Sequence, residues 1–211
     1  MASAKKQRAQ RLHMAQIAAR LMQEQGIRDF QIAKRKAAQR LGIDVRASML
    51  PANREIEAAL AEHQRLFVGA EHVQRIADMR RAALQAMTLL AAFRPRLVGD
   101  VLTGRANAHS DIQLHVFAEQ PEAFDLFVQE HGIACDLVER RLRVSRERHR
   151  FFPAFRFMAG DFGFEAVLFA AADIRQAPLS AVDGAPMDRA NRARVERLLA
   201  TDALCAESGV C

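Results

Sequence analysis

Val98-Gly99-Asp100-Val101-Leu102-Thr103-Gly104-Arg105-Ala106-Asn107-Ala108-His109-Ser110-Asp111-Ile112-Gln113-Leu114 is the stretch on which the reading of this chain turns. Leu97 to Leu102 and Ile112 to Phe117 are short runs of β-prone apolar residues, and Gly104, Asn107 and Ser110 between them are turn formers. The spacing predicts two strands joined by a turn-rich connection. Side chains two positions apart on a strand point to the same side of a sheet, so Asp111, Gln113 and His115 are expected to share a face.

Toward the C-terminus, Phe124, Phe127 and Val128 fall at helical spacing within Pro121 to His131. Ile133 to Val144, Ala154 to Met158 and Phe164 to Phe169 read as three further strands, with Gly160-Asp161 in the turn between the last two. A Pro- and Gly-punctuated segment then leads to a final helix over Asp188 to Leu199, and the tail after Thr201 is expected to be loose.

Toward the N-terminus the period is helical throughout. One helix carries Leu12, Ile17, Leu21 and Met22 and ends at Gly26; Asp29 caps a second, which Gly42 stops. A third begins at Pro51 to Asn53, and a fourth runs from Glu71 to Phe93 before Pro95 closes the series. Helices, then β–β–α–β–β–β, then a helix predict an α+β fold: a small mixed or antiparallel sheet flanked by helices and preceded by a helical region. The expected divisions are a basic helical region at 1–94, a sheet domain at 95–200 and a tail at 201–211.

The chain has 211 residues, half of them apolar, which suffices for a sizeable core. No apolar run is long enough to cross a membrane, and the basic N-terminus is followed by an amphipathic rather than a uniformly apolar stretch. Three Cys stand at no metal-ligand spacing. A cytoplasmic protein without a membrane partner is expected. The formal net charge of +6 favours polyanions, and it is clustered. Lys34, Arg35, Lys36 and Arg40 belong to a basic N-terminal region, and Arg140, Arg141, Arg143, Arg146, Arg148 and Arg150 form a second cluster.

The second cluster lies between two predicted strands, so it is expected to project as a hairpin. Its arginines either grip phosphates, with Phe151, Phe152 and Phe155 stacking on bases, or form a solvated face with Glu139 and Glu147 over core phenylalanines. Strand alternation favours core for Phe155 and Phe157. The N-terminal helices bear a faint likeness to a helix-turn-helix with a basic second helix, which opens DNA as a partner alongside RNA. His115 reads either as a ligand or phosphate contact or as a structural strand histidine.

The glycine turn at Gly99, the second glycine at Gly104 and the Ser110-Asp111-Ile112-Gln113-Leu114 strand resemble the active-site segment of the DNA-polymerase-β-like nucleotidyltransferase superfamily, at the spacing of its minimal members. The likeness is clear over about twenty residues, extends through element order from Leu97 to Phe169, and does not cover the N-terminal helices. It implies a nucleotide site at Gly99, Asp100, Gly104, Arg105 and Ser110. It also implies a catalytic set of Asp111, Gln113 and Glu165, with Asp136 as the alternative to Glu165 and Asp111 and Glu165 as ligands of Mg²⁺ or Mn²⁺. Such enzymes hold two cations about 3.5–4 Å apart between carboxylates.

This chain departs from the family twice. Asp100 stands where the family has Ser, beside the expected triphosphate, and Gln113 replaces the second carboxylate of the strand. An amide offers an oxygen but not the charge. The resemblance and the basic clusters together imply a protein that binds RNA or nucleotides with weakened or lost catalysis. The alternatives are metal-dependent transfer of a nucleoside monophosphate to RNA, protein or a small hydroxyl acceptor, or regulation of DNA through the N-terminal helices.

Overall fold

The computed structural model describes residues 2–27, 29–43, 50–67 and 70–208, which form two compact units. Helices α1 (Ala2–Gln25), α2 (Phe30–Arg40) and α3 (Asn53–Phe67), together with the short segments Asn107–His109 and Ala181–Asp183, make up the first. Its core is rich in alanine, with Ala15, Ala18, Ala33, Ala37 and Ala38 beside Met14 and Ile56, and small side chains let helices approach closely. Asp29 caps α2: its Oδ1 accepts the backbone N–H groups of Gln31 and Ile32 at 2.6 and 3.1 Å. Such a cap contributes about 1 kcal/mol.

The second unit contains α4 (Ala70–Leu89), β1 (Arg96–Val98), α5 (Gly99–Thr103), β2 (Ile112–Ala118), α6 (Pro121–Glu130), β3 (Cys135–Arg143), β4 (His149–Ala159), β5 (Phe162–Ala170) and α7 (Arg192–Ser208). The fold is α+β. The five strands lie in the order β1-β2-β5-β4-β3; β2 and β5 are parallel and every other pair is antiparallel, so the sheet is mixed. Alternation divides it into two faces. Ile112, Leu114, Val116, Phe164, Ala166 and Leu168 share the larger core with Met79, Met87, Phe124 and Val195 of α4, α6 and α7. The other face carries a smaller core, Phe117, Phe152, Ala154, Val167 and Phe169, confined to one end.

Three expectations are corrected. The predicted strand over Leu97 to Leu102 stops at Val98, and α5 follows. Val98, Val101 and Leu102 also fit helical spacing, and Val101 and Leu102 are the buried residues of the short helix. Helix α4 belongs with the sheet, so the division falls near residue 70 and not at Arg94. The expected loose tail is helical as far as Ser208, while residues 209–211 and the Cys205 side chain lie outside the described residues.

Arg80 explains why α7 runs past Thr201. Its side chain is 6% exposed, and Nη1 donates to both carboxylate oxygens of Asp202 at 2.7 Å. Its Nε and Nη2 donate to the carbonyls of Val101 and Leu102 at 3.2 and 3.0 Å, so one guanidinium ties α4 to α7 and satisfies carbonyls at the end of α5. Among the described residues no helix is long and apolar enough to cross a membrane. Replacing Arg80 with Ala leaves Asp202 and two carbonyls without this donor, and is expected to cost about 3 kcal/mol in urea unfolding. Arg81→Ala, at an exposed ion pair, is expected to stay within about 0.5 kcal/mol.

Candidate functional site

The sheet face with the smaller core is free of it at the end where β2 begins. There the register sets Gln113 of β2 opposite Glu165 of β5, Glu165 opposite Arg156 of β4, and Arg156 opposite Asp136 of β3. All four therefore form one row across one face. Asp111, two residues before Gln113, joins that face. Its carboxylate occupies the space that a Cβ at Gly163 would fill, so glycine is required there for the acid to settle against β5.

Two arginines engage Asp111 and Glu165. Arg140 Nη2 and Nε lie 2.5 and 2.8 Å from Glu165 Oε2, and Glu165 is almost wholly buried. Arg156 Nη2 lies 3.4 Å from Asp111 Oδ2, and its Nε is 4.0 Å from Glu165. A buried carboxylate demands such a partner, because an uncompensated charge away from water costs several kcal/mol. The Gln113 amide turns the other way. Its Oε1 packs into the space above Gly99, whose φ of +73° and missing Cβ permit the approach.

This donor set does not fit a pair of Mg²⁺ or Mn²⁺ ions. The family arrangement needs several carboxylates free to face the cations. Here one acid is an amide, and Asp111 and Glu165 are already matched by two guanidinium charges. Asp136 is exposed on β3, and among the described residues no group of three or more His, Cys, Asp or Glu converges. Arg140, expected to grip phosphate, is instead the partner of Glu165.

The remaining predicted positions divide clearly. Asp100 is exposed in the first turn of α5; Gly104 ends that helix at φ +75°, its carbonyl 3.0 Å from His72 Nε2. The Arg105 backbone N–H donates to Asp100 O at 2.8 Å, and Ser110 is half-buried just ahead of Asp111. On α2, Arg35, Lys36 and Arg40 are exposed, but Lys34 is only 6% exposed and is buried along with Ala33, Ala37 and Ala38 of the same helix. Burial lowers its pKa, and the expectation that it contacts nucleic acid is corrected.

On the β3–β4 hairpin, Arg141, Arg146, Arg148 and Arg150 are exposed, whereas Arg143 is half-buried, its guanidinium close against Gly184. Phe152 and Phe155 are core, and Phe151 is 63% exposed. Sequence reasoning missed Arg156 altogether. Its signal, an arginine alternating with Phe152 and Ala154 on a strand, gains meaning only once the β4–β5 register is known.

His115 is held by contacts within the sheet unit. It is buried, lies 4.6 Å centroid to centroid from Phe169, and its Nδ1 accepts from Arg189 Nε at 2.9 Å. Arg189 also donates to the carbonyls of Asp173 and Ile174 at 3.0 and 3.3 Å, so it clamps the segment after β5 onto the smaller core. Burial, with the Arg189 charge adding to it, pulls the His115 pKa from 6.5 down to about 3. Comparison of the chain with protein-family models and with curated proteins finds no match.

The depressed His115 value has a consequence for stability. Between about 3 and 6.5 the unfolded chain binds a proton at this residue that the folded chain refuses. Stability present above pH 6.5 is therefore lost as pH falls through that window. His115→Gln is expected to flatten the acid limb of a denaturation-midpoint series over the same window, and an unchanged limb would remove His115 as its cause.

Proposed function

We propose that this protein is a nucleotidyltransferase-like module, silent in catalysis, that binds single-stranded RNA without a metal ion through the β3–β4 hairpin. The silent half of the reading rests on the Asp111, Gln113 and Glu165 set, in which one charge is missing and the other two are met by arginine. A further dication would have to displace both guanidinium groups.

The observation that carries the binding half is Phe151. It is 63% exposed and stands directly across the strands from Arg141, on the same face. Single exposed apolar residues are common, but this one sits in a stretch with six arginines against one glutamate between 140 and 150. A ring flanked by guanidinium groups offers a base a stacking surface and its phosphates counter-charge. Arg146 and Arg148 lie in the turn, where they can follow a backbone; Arg150 is partly committed, over the Phe152 ring at 5.0 Å and 3.7 Å from Asp173. Such a module operates in the cytoplasm, with the basic residues of α2 as a secondary phosphate-contacting surface.

The two contributions separate experimentally. Phe151→Ala is expected to weaken binding of a fluorescent single-stranded RNA about tenfold or more, with the salt dependence unchanged. Arg146→Gln with Arg148→Gln is expected to lower the slope of log K against log salt by about 1.4, one phosphate per arginine. Wild-type affinity in both variants would remove the hairpin from the reading. Transfer of label from a nucleoside triphosphate, abolished by Asp111→Ala, would overturn the silent half and establish an enzyme.

A further inference from the structure

Away from the hairpin, the second unit holds an open groove with a cavity volume of about 1460 Å³. One wall is α4, which offers Ala82, Ala86 and the 48% exposed Leu89. The opposite wall is Ile133 with Phe157 and Phe162 from the tip of the β4–β5 hairpin. The volume exceeds the roughly 300–1,000 Å³ usual for a small-molecule pocket. Asp78 and Leu89, both on α4, bound a length of about 16 Å at 1.5 Å per residue, or three helical turns. Small side chains at 82 and 86 lie one turn apart, the arrangement that lets a second helix seat closely along the first.

Charge on the rim selects the occupant. Arg81 is ion-paired with Asp78, and Arg156 with Asp111. Asp136 and Asp161, also on the rim, have no ion-pair partner among the described residues. In a chain of net charge +6, this groove is bordered by surplus acid. We infer that it receives an amphipathic helix of about three turns from a partner protein, with its apolar stripe on the α4 and hairpin walls and lysine or arginine facing Asp136 and Asp161. This inference is independent of RNA binding, because Arg141, Phe151 and the turn arginines do not line the groove.

The test is a displayed library of helical peptides selected against the full chain, followed by fluorescence anisotropy with the synthetic consensus. The expected consensus has apolar residues at i, i+3 or i+4, and i+7, with basic residues enriched beside them. Leu89→Glu is expected to weaken the consensus peptide at least tenfold. Asp136→Lys with Asp161→Lys is expected to weaken it similarly and to improve binding of the same peptide with its basic residues changed to Glu. These positions are exposed or partly exposed on the surface, and circular dichroism melts of each variant establish that it is folded. No enrichment, an acidic consensus, or affinity unmoved by either variant would overturn the inference. So would self-association of the wild-type chain that Leu89→Glu abolishes in sedimentation, because the occupant would then be a second copy.

Discussion

The parallel pairing of β2 with β5 is the constraint from which the rest of the sheet unit follows. Among the described residues it is the one parallel contact in an otherwise antiparallel sheet, and parallel neighbours need a long crossover. Here the crossover is α6, β3 and β4, and β4 returns to pair on the far side of β5. That path sets Gln113, Glu165 and Arg156 in one row. A slip of one residue in either register would send Glu165 into the larger apolar core, and burial of an unmatched carboxylate there is prohibitive. The apolar residues alternating with the row, Leu114 and Ala166 among them, oppose that slip from the other side of the sheet.

The chemistry of the row is a substitution of charge carriers. Where a nucleotidyltransferase-like site would present carboxylates to cations, this face presents them to guanidinium groups supplied by its own β3 and β4. The arginines are covalently held, so Asp111 and Glu165 are matched without any ion being recruited, and the burial of Glu165 depends on it. Cationic side chains not consumed by this exchange lie on the hairpin turn and outer face, where Arg141, Arg146 and Arg148 meet solvent. The same two strands thus separate a neutralised interior cluster from an exposed basic tip.

Much of this was legible in the sequence, for identifiable reasons. The change from helical to alternating period after Pro95 announced the α+β order, and the spacing of Asp111 and Gln113 announced their common face. Asp29 was recognisable as a cap because an acid followed by a helical apolar pattern has little else to do. What was not legible depends on register or on neighbours distant in sequence. Nothing near Arg156 says that it stands opposite Glu165, and nothing near Arg80 points to Asp202. Lys34 looked like part of a basic face, yet Ala33, Ala37 and Ala38 place it on the buried side of α2. The apolar spacing of α4 fitted a helix well but carried no mark of which core it would join.

Asp111 and Glu165 are met by the chain's own arginines, and on the proposed reading a polyanion is likewise met by arginine without help from a metal. The most direct measurement is the affinity of the wild-type chain for single-stranded RNA in a chelator, compared with its affinity in Mg²⁺ at matched ionic strength. Equal affinity in the two is expected, with the value set by monovalent salt. Binding that vanishes in the chelator and returns with Mg²⁺ would contradict it.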